Sequence, residues 1–141
     1  MNICFASQKS GLKKATLNSI DGFYEIFAPP PNDIDILVLN GDCDVAPFVH
    51  QSVDTCIFES KNALKVLELK KVNSAVSCGM EGLDSVTFSS ISEDTALVCI
   101  RRPIVFKGKS FEPCEFKAKF NTKYGIYQNL VMSLVEHLVS N

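Results

Sequence analysis

The sequence predicts a three-layer α/β fold: a mainly parallel β-sheet, an antiparallel β-meander after it, and a long C-terminal helix. Three observations predict it. Short apolar runs alternate with helical or polar stretches through the first half, the alternation that yields parallel strands joined by crossovers. The run at 34–39 carries isoleucine, leucine and valine on both faces, as a strand in the middle of a covered parallel sheet does. From residue 85 onward the style changes to strand-like runs separated by short polar turns, and the chain closes on apolar residues at helical spacing.

Taken in order, residues 2–6 are apolar and read as the first strand. Residues 7–14 are polar with one glycine, and apolar spacing resumes at Leu17 and Ile20, giving a loop and then a helix over 15–20. Asp21-Gly22 turns the chain into an alternating strand at 23–28. Pro29-Pro30-Pro31-Asn32-Asp33 then enforces an exposed connection, because proline neither donates to a ladder nor continues a helix. The strand at 34–39 ends at the turn Asn40-Gly41-Asp42. Residues 55–58 form the next strand, with Ser60 as N-cap for a helix over 62–70 whose stripe is Ala63, Leu64, Val66, Leu67 and Leu69. Residues 75–78 follow as a strand closed by Gly79.

In the second half, 85–91 and 96–100 make one hairpin around Ser92-Glu93-Asp94, and 104–106 and 111–120 make another around Lys107-Gly108-Lys109. Cys114, Phe116, Ala118 and Phe120 alternate with Glu115, Lys117 and Lys119, which gives one buried and one wet face. The last helix, over 124–139, carries Ile126, Leu130, Leu134 and Leu138, thickened by Tyr127, Val131, Val135 and Val139.

At 141 residues with no internal repeat or long linker, residues 1–141 read as a single domain, long enough to bury roughly two thirds of its unfolded surface. A net charge of −2 and scattered lysines lack the basic stripe that nucleic-acid binding requires. No run approaches the roughly 20 apolar residues of a membrane span, and the first residues lead into a strand rather than a leader. The six cysteines lie mostly inside apolar runs, with no Cys-x-x-Cys spacing. They read as reduced thiols in a cytoplasmic protein.

The best binding candidate is the loop after the first strand, where an α/β fold places its ligand crevice and helix N-termini favour anions. Its residues Ser7, Lys9, Ser10, Gly11, Lys13 and Lys14 would hold a nucleotide or phosphate; the competing reading is a solvated connection. Cys78, with His50 or His137 as base, could be drawn as a nucleophile, but nothing nearby supplies the electropositive setting a reactive thiol needs. Asp33, Asp35, Asp42 and Asp44 could hold a divalent ion, against the plainer reading of turn chemistry. Arg101-Arg102-Pro103 either faces an anion or a partner's carboxylates or is solvated at a strand end. No catalytic and no metal-binding residue is assigned.

The order from Glu59 to the C-terminus resembles the later half of the central, ATP-binding domain of the Mur ligases and folylpolyglutamate synthetases, over about 80 residues. The matching pieces are Cys56-Ile57-Phe58-Glu59 and the helix after it, Ala75-Val76-Ser77-Cys78-Gly79-Met80, the meander from Asp84 to Ile91 with its return strand, and the closing segment from residue 121. The resemblance implies a Rossmann-like sheet. It also exposes departures. The family's phosphate loop, Gly-Thr-x-Gly-Lys-Thr, corresponds here to Ser7-Gln8-Lys9-Ser10-Gly11-Leu12-Lys13-Lys14-Ala15-Thr16, with one glycine that no lysine adjoins. Without the glycines, several backbone N–H groups cannot converge on an anion. The closing motif, Gly-x-His-Asn-x-x-Asn, is not kept in Asn121-Thr122-Lys123-Tyr124-Gly125-Ile126-Tyr127-Gln128. The expectation is therefore a non-catalytic binding or assembly module, with no cofactor assigned beyond a nucleotide or phosphate at the loop, that engages a protein partner or a second copy, with an open meander edge as one route to pairing. The alternative is a small nucleotide- or phosphate-binding protein or enzyme that uses the loop in its own way.

Overall fold

Parallel pairing joins the strands of the first half in sequence order. In a computed structural model, which describes residues 1–6 and 30–141, β1 (Ile3–Phe5), β2 (Asp33–Val38), β3 (Ser52–Phe58) and β4 (Lys71–Ser77) form a four-stranded parallel sheet. The loop at 7–14, the helix at 15–20, the Asp21-Gly22 turn and the strand at 23–28 lie outside the described residues. Register is set by apolar matching: Ile3 opposes Ile36, Phe5 opposes Val38, and Leu37 opposes Cys56. β2 sits inside the sheet, as its two-faced apolar run requires.

The two faces of β2 feed two separate cores. Ile36 and Val38 join Ile3, Phe5, Ile57 and Val76 in a cluster with β5 (Val86–Ile91), β6 (Thr95–Ile100) and the C-terminal helix. Leu37 and Leu39 join Cys4, Cys56, Val45, Phe48 and Leu69 in the other. Ile36, Leu37, Val38 and Leu39 have no exposed surface, and β2, like β1 and β3 beside it, ties both cores to one backbone.

Between β3 and β4 the structure is shorter than the sequence pattern predicts. Instead of a helix over 62–70, a 3-10 turn (Ser60–Asn62) runs into one helical turn, α1 (Ala63–Val66). Leu64 and Leu67 are 78% and 79% exposed, and only Leu69 of the expected stripe is buried in a core. Ser60 does not cap it through its side chain; Glu59 occupies the N-cap position of the 3-10 turn.

The second half is antiparallel, but the meander contains an insertion. β9 (Cys114–Lys119) pairs with β6, giving the order β5-β6-β9, while β7 (Ile104–Phe106) and β8 (Lys109–Phe111) form their own hairpin in between. The expected strand at 111–120 is broken at Glu112-Pro113, since proline lacks the N–H a ladder needs. Lys107 and Gly108 turn the hairpin with φ of 50° and 78°, the left-handed pair of a tight type I′ connection. That hairpin is anchored to the parallel sheet: the Lys107 N–H donates to Asp54 Oδ2 at 2.7 Å, and its ammonium lies 3.4 Å from Asp35. β9 alternates as expected at Phe116, Ala118 and Phe120, all half-buried, whereas Cys114 at its start is exposed.

The last helix, α2 (Ile126–Ser140), buries Tyr127, Leu130, Val131, Leu134, Val135 and Leu138 in the first core, fulfilling the predicted stripe. Among the described residues no helix is long and apolar enough to cross a membrane.

Candidate functional site

Because all four strands of the parallel sheet point the same way, their carboxyl ends lie along one edge, where α/β folds place ligands. Ala6 follows β1 there, and its N–H donates to Val38 O at 2.9 Å. Leu39-Asn40-Gly41 follows β2, Glu59 follows β3, and Cys78-Gly79 follows β4. The candidate residues Ser7, Lys9, Ser10, Gly11, Lys13 and Lys14 lie outside the described residues, so the structure fixes where their segment leaves the sheet and nothing more.

The polar groups on this edge hold one another. Tyr127, in the first turn of α2, donates its hydroxyl to Leu39 O at 2.5 Å and approaches Ile57 O at 3.3 Å, tying the helix to the ends of β2 and β3. Burial, with Cys78, Glu59, Cys56 and Cys43 nearby, drives its phenol far above the usual range, so it serves as a neutral donor. Asn62, buried at the end of the 3-10 turn, donates to Gly41 O at 3.1 Å. Lys65 donates to Cys43 O at 2.5 Å, and Glu59 pairs with Lys61 at 3.3 Å on the surface.

A second polar knot sits after β4. The buried Asp84 carboxylate accepts the Glu81 N–H at 2.9 Å, and Arg101 donates to the carbonyls of Glu81 and Gly82 at 2.9 and 3.2 Å. Arg102 donates to Leu83 O. The arginine pair thus holds the turn at 81–84, a job absent from both sequence readings of it. Gly79 passes so close to Asp84 that a Cβ there would stand 2.6 Å from Oδ2.

A third knot fixes the entry to α2. Asn129 is buried; its amide donates to Asn121, Tyr124 and Gly125 carbonyls at 2.9 to 3.2 Å, and its Oδ1 accepts the Asn121 N–H at 2.9 Å. Sequence reasoning missed Asn129, Asp84 and the role of Tyr127. The available signals were a buried-side asparagine inside an apolar stripe and a tyrosine on a core face, each of which needs a partner.

The remaining candidates separate. Cys78 has no exposed surface, and burial first, then Asp84, pushes its thiol well above the ordinary cysteine range. Cys56 is likewise pushed up to about 12 by burial and Cys43. Such thiols stay protonated and are not nucleophiles. His50 is exposed, and His137 lies flat on Phe116 with ring centroids 4.0 Å apart. Asp33 and Asp35 stand at the start of β2 and Asp42 and Asp44 beyond its end, separated by a six-residue strand of about 20 Å. Asp35 accepts the Asn2 N–H at 2.7 Å, and Asp44 accepts the Ala46 N–H at 3.0 Å. Among the described residues no three acidic, histidine or cysteine side chains gather as a metal site.

No family model, no curated protein and no solved structure matches the chain.

Proposed function

We propose that this chain is a Mur-ligase-like domain, three-layered and Rossmann-like, that works as a binding or assembly module in the cytoplasm and not as a ligase. The observation that carries the reading is the self-occupied carboxyl edge: Tyr127 takes the Leu39 and Ile57 carbonyls and Asn62 takes that of Gly41. Carbonyls and turns that border a ligand crevice in an active α/β enzyme are here spent on tying the helix and the turn to the strand ends. The order of a strand ending in Glu59, a strand ending at Gly79, antiparallel strands and a closing helix agrees with the resemblance drawn from the sequence. Exposed Leu64, Leu67 and Leu83 fit a surface that meets a protein.

Turnover of Mg²⁺-ATP tests it. The purified chain is expected to hydrolyse ATP no faster than a Lys13→Ala, Lys14→Ala variant. Hydrolysis well above that control would sink the module reading.

One observation favours the second reading, a nucleotide- or phosphate-binding protein that uses Ser7 to Lys14. β1 pairs in parallel beside β2, so that segment leaves from the carboxyl edge of the sheet. A thermal-shift titration with ATP, ADP and inorganic phosphate decides it, since a ligand at 100 times its Kd adds about 2.7 kcal/mol of stability. A dose-dependent shift that vanishes in the Lys13→Ala, Lys14→Ala variant would establish it; no shift would remove it.

A further inference from the structure

The antiparallel sheet ends, among the described residues, on a strand with an open side. Among the described residues β9 pairs with β6 alone, from Thr95 opposite Lys119 to Ile100 opposite Cys114. Just past that ladder the Phe120 N–H donates to Asp94 O at 2.9 Å. Backbone direction alternates along a strand, so Phe120, Ala118 and Phe116 turn their N–H and C=O groups toward β6. Lys119, Lys117 and Glu115 turn theirs to the open side. Pro113, next in that series, has no N–H to leave unpaired.

Side chains on this strand divide the same way. Glu115, Lys117 and Lys119 are exposed, while Phe116 and Ala118 are half-buried toward α2. Between β9 and α2 an open groove of about 740 Å³ is lined by Phe116, Ala118, Ser133, Glu136, His137 and Ser140. An added strand would find a row of backbone donors and acceptors at the edge and, on the α2 side, a groove of mixed polar and apolar lining with room for its inward-facing side chains.

We propose that a second copy of this chain takes this place through its own β9, antiparallel, about a two-fold axis at Phe116. The register follows from side-chain parity and charge. Only registers that set Phe116 and Ala118 of both copies on one face keep the charged residues together on the other. Centred on Phe116, Glu115 stands opposite Lys117 of the second copy, twice by symmetry, and no like charges oppose. Centring on Lys117 pairs Glu115 with Lys119 twice but sets Lys117 against itself on the axis, centring on Glu115 sets two glutamates together, and centring on Ala118 sets Lys117 against Lys119 twice. Opposite charges across a strand pair stabilise it and like charges destabilise it. In the favoured register Glu115 and Lys117 exchange backbone hydrogen bonds, since both face outward. Phe116 meets its symmetry mate at a non-bonded pair, where side chains approach most closely. Glu115 now accepts from Ser89 at 3.1 Å on the exposed face, a contact that pairing with a lysine can replace. The same charges discourage an uncharged strand, so the edge is selective.

This names the partner left open by the assembly reading and rests on it, but it is tested by mass and not by turnover. Sedimentation equilibrium at low salt is expected to give the wild type a concentration-dependent approach to twice 15.5 kDa. Glu115→Lys and Lys117→Glu should each weaken association by about tenfold or more, since both set like charges across the axis. An equimolar mixture of the two variants should recover the double mass, because every cross-strand pair is again of opposite sign. The double variant should dimerise by itself. Recovery in the mixture cannot come from misfolded chains. A wild type that keeps the single-chain mass to about 1 mM, single variants that associate as the wild type does, or a mixture that stays dissociated would each overturn the proposal. ATP turnover with an intact dimer would fell the module reading alone.

Discussion

Tyr127 shows how much one hydroxyl can hold. It reaches two strand-end carbonyls from a helix that is otherwise apolar on that face. Tyr127→Phe keeps the ring in the core but leaves Leu39 O without that donor, whereas Ile57 O still receives the Leu39 N–H at 2.9 Å. The expected loss is about 1–2 kcal/mol of unfolding free energy in urea, with the denaturant slope unchanged. His137 gives the pH-dependent counterpart. Burial, then the nearby Lys109 ammonium, lowers its pKa below the ordinary 6.5, and it lies against Phe116 and Phe111 with Asn141 beside its ring. The folded state therefore binds fewer protons than the unfolded state in the window just below that value. Its contribution to stability is complete above the unfolded pKa and is lost as pH falls through the window. Unfolding measured between about pH 5 and about pH 8 should steepen with this residue present and flatten in His137→Gln. An unchanged slope would assign the pH dependence to other groups.

Among the elements, α1 and α2 make opposite use of leucine. Leu64 and Leu67 stand in solvent on a single helical turn, while Leu134 has no exposed surface. Leu64→Ala and Leu67→Ala should each change stability by no more than about 0.5 kcal/mol, and Leu134→Ala should cost about 2–5 kcal/mol. Chemical denaturation of the three variants checks both halves. This contrast also marks where local pattern stops being informative. The stripe of α2 runs for four turns, so its period is unambiguous and its buried face follows. The pattern at 62–70 spans two turns and is equally compatible with a chain that buries Leu69 in the core and only leans Val66 against it. The break at Pro113 was written in the sequence but masked by the clean alternation around it. The knot at Asp84 was not legible as a whole, because Arg101 and Arg102 reach its turn from 17 to 20 residues away. Asn129, by contrast, bonds within eight residues of itself, and its asparagine inside the apolar stripe was the signal to read. The loop from Ser7 to Lys14 was the sequence's own candidate site, and the described fold bears on it only through the strand it leaves.

For the molecule as a whole, β2 and β3 are the strands on which everything else depends. Each has a parallel neighbour on both sides, and Ile36, Leu37, Val38, Cys56 and Ile57 are fully removed from solvent. Amide hydrogen exchange should be slowest there, requiring global opening, and fast in α1 and at the Lys107-Gly108 turn, which open locally. Uniform protection across both halves of the chain would show instead that the antiparallel strands and the parallel sheet open as one unit of equal stability. The two cores lie on opposite faces of β1, β2 and β3, so loosening either should be felt in the other.

The approach of Gly79 to Asp84 has a further meaning for how this sequence can drift. A methyl group at position 79 collides with a carboxylate that is itself held in place, so the two positions do not vary independently. Gly79→Ala alone should be selected against, yet become tolerable in a background where residue 84 has been shortened to serine or alanine. In a library randomised at both positions, survivors would pair glycine with aspartate or a larger residue at 79 with a smaller one at 84, a linked substitution pattern that would mark true relatives of this chain better than overall identity.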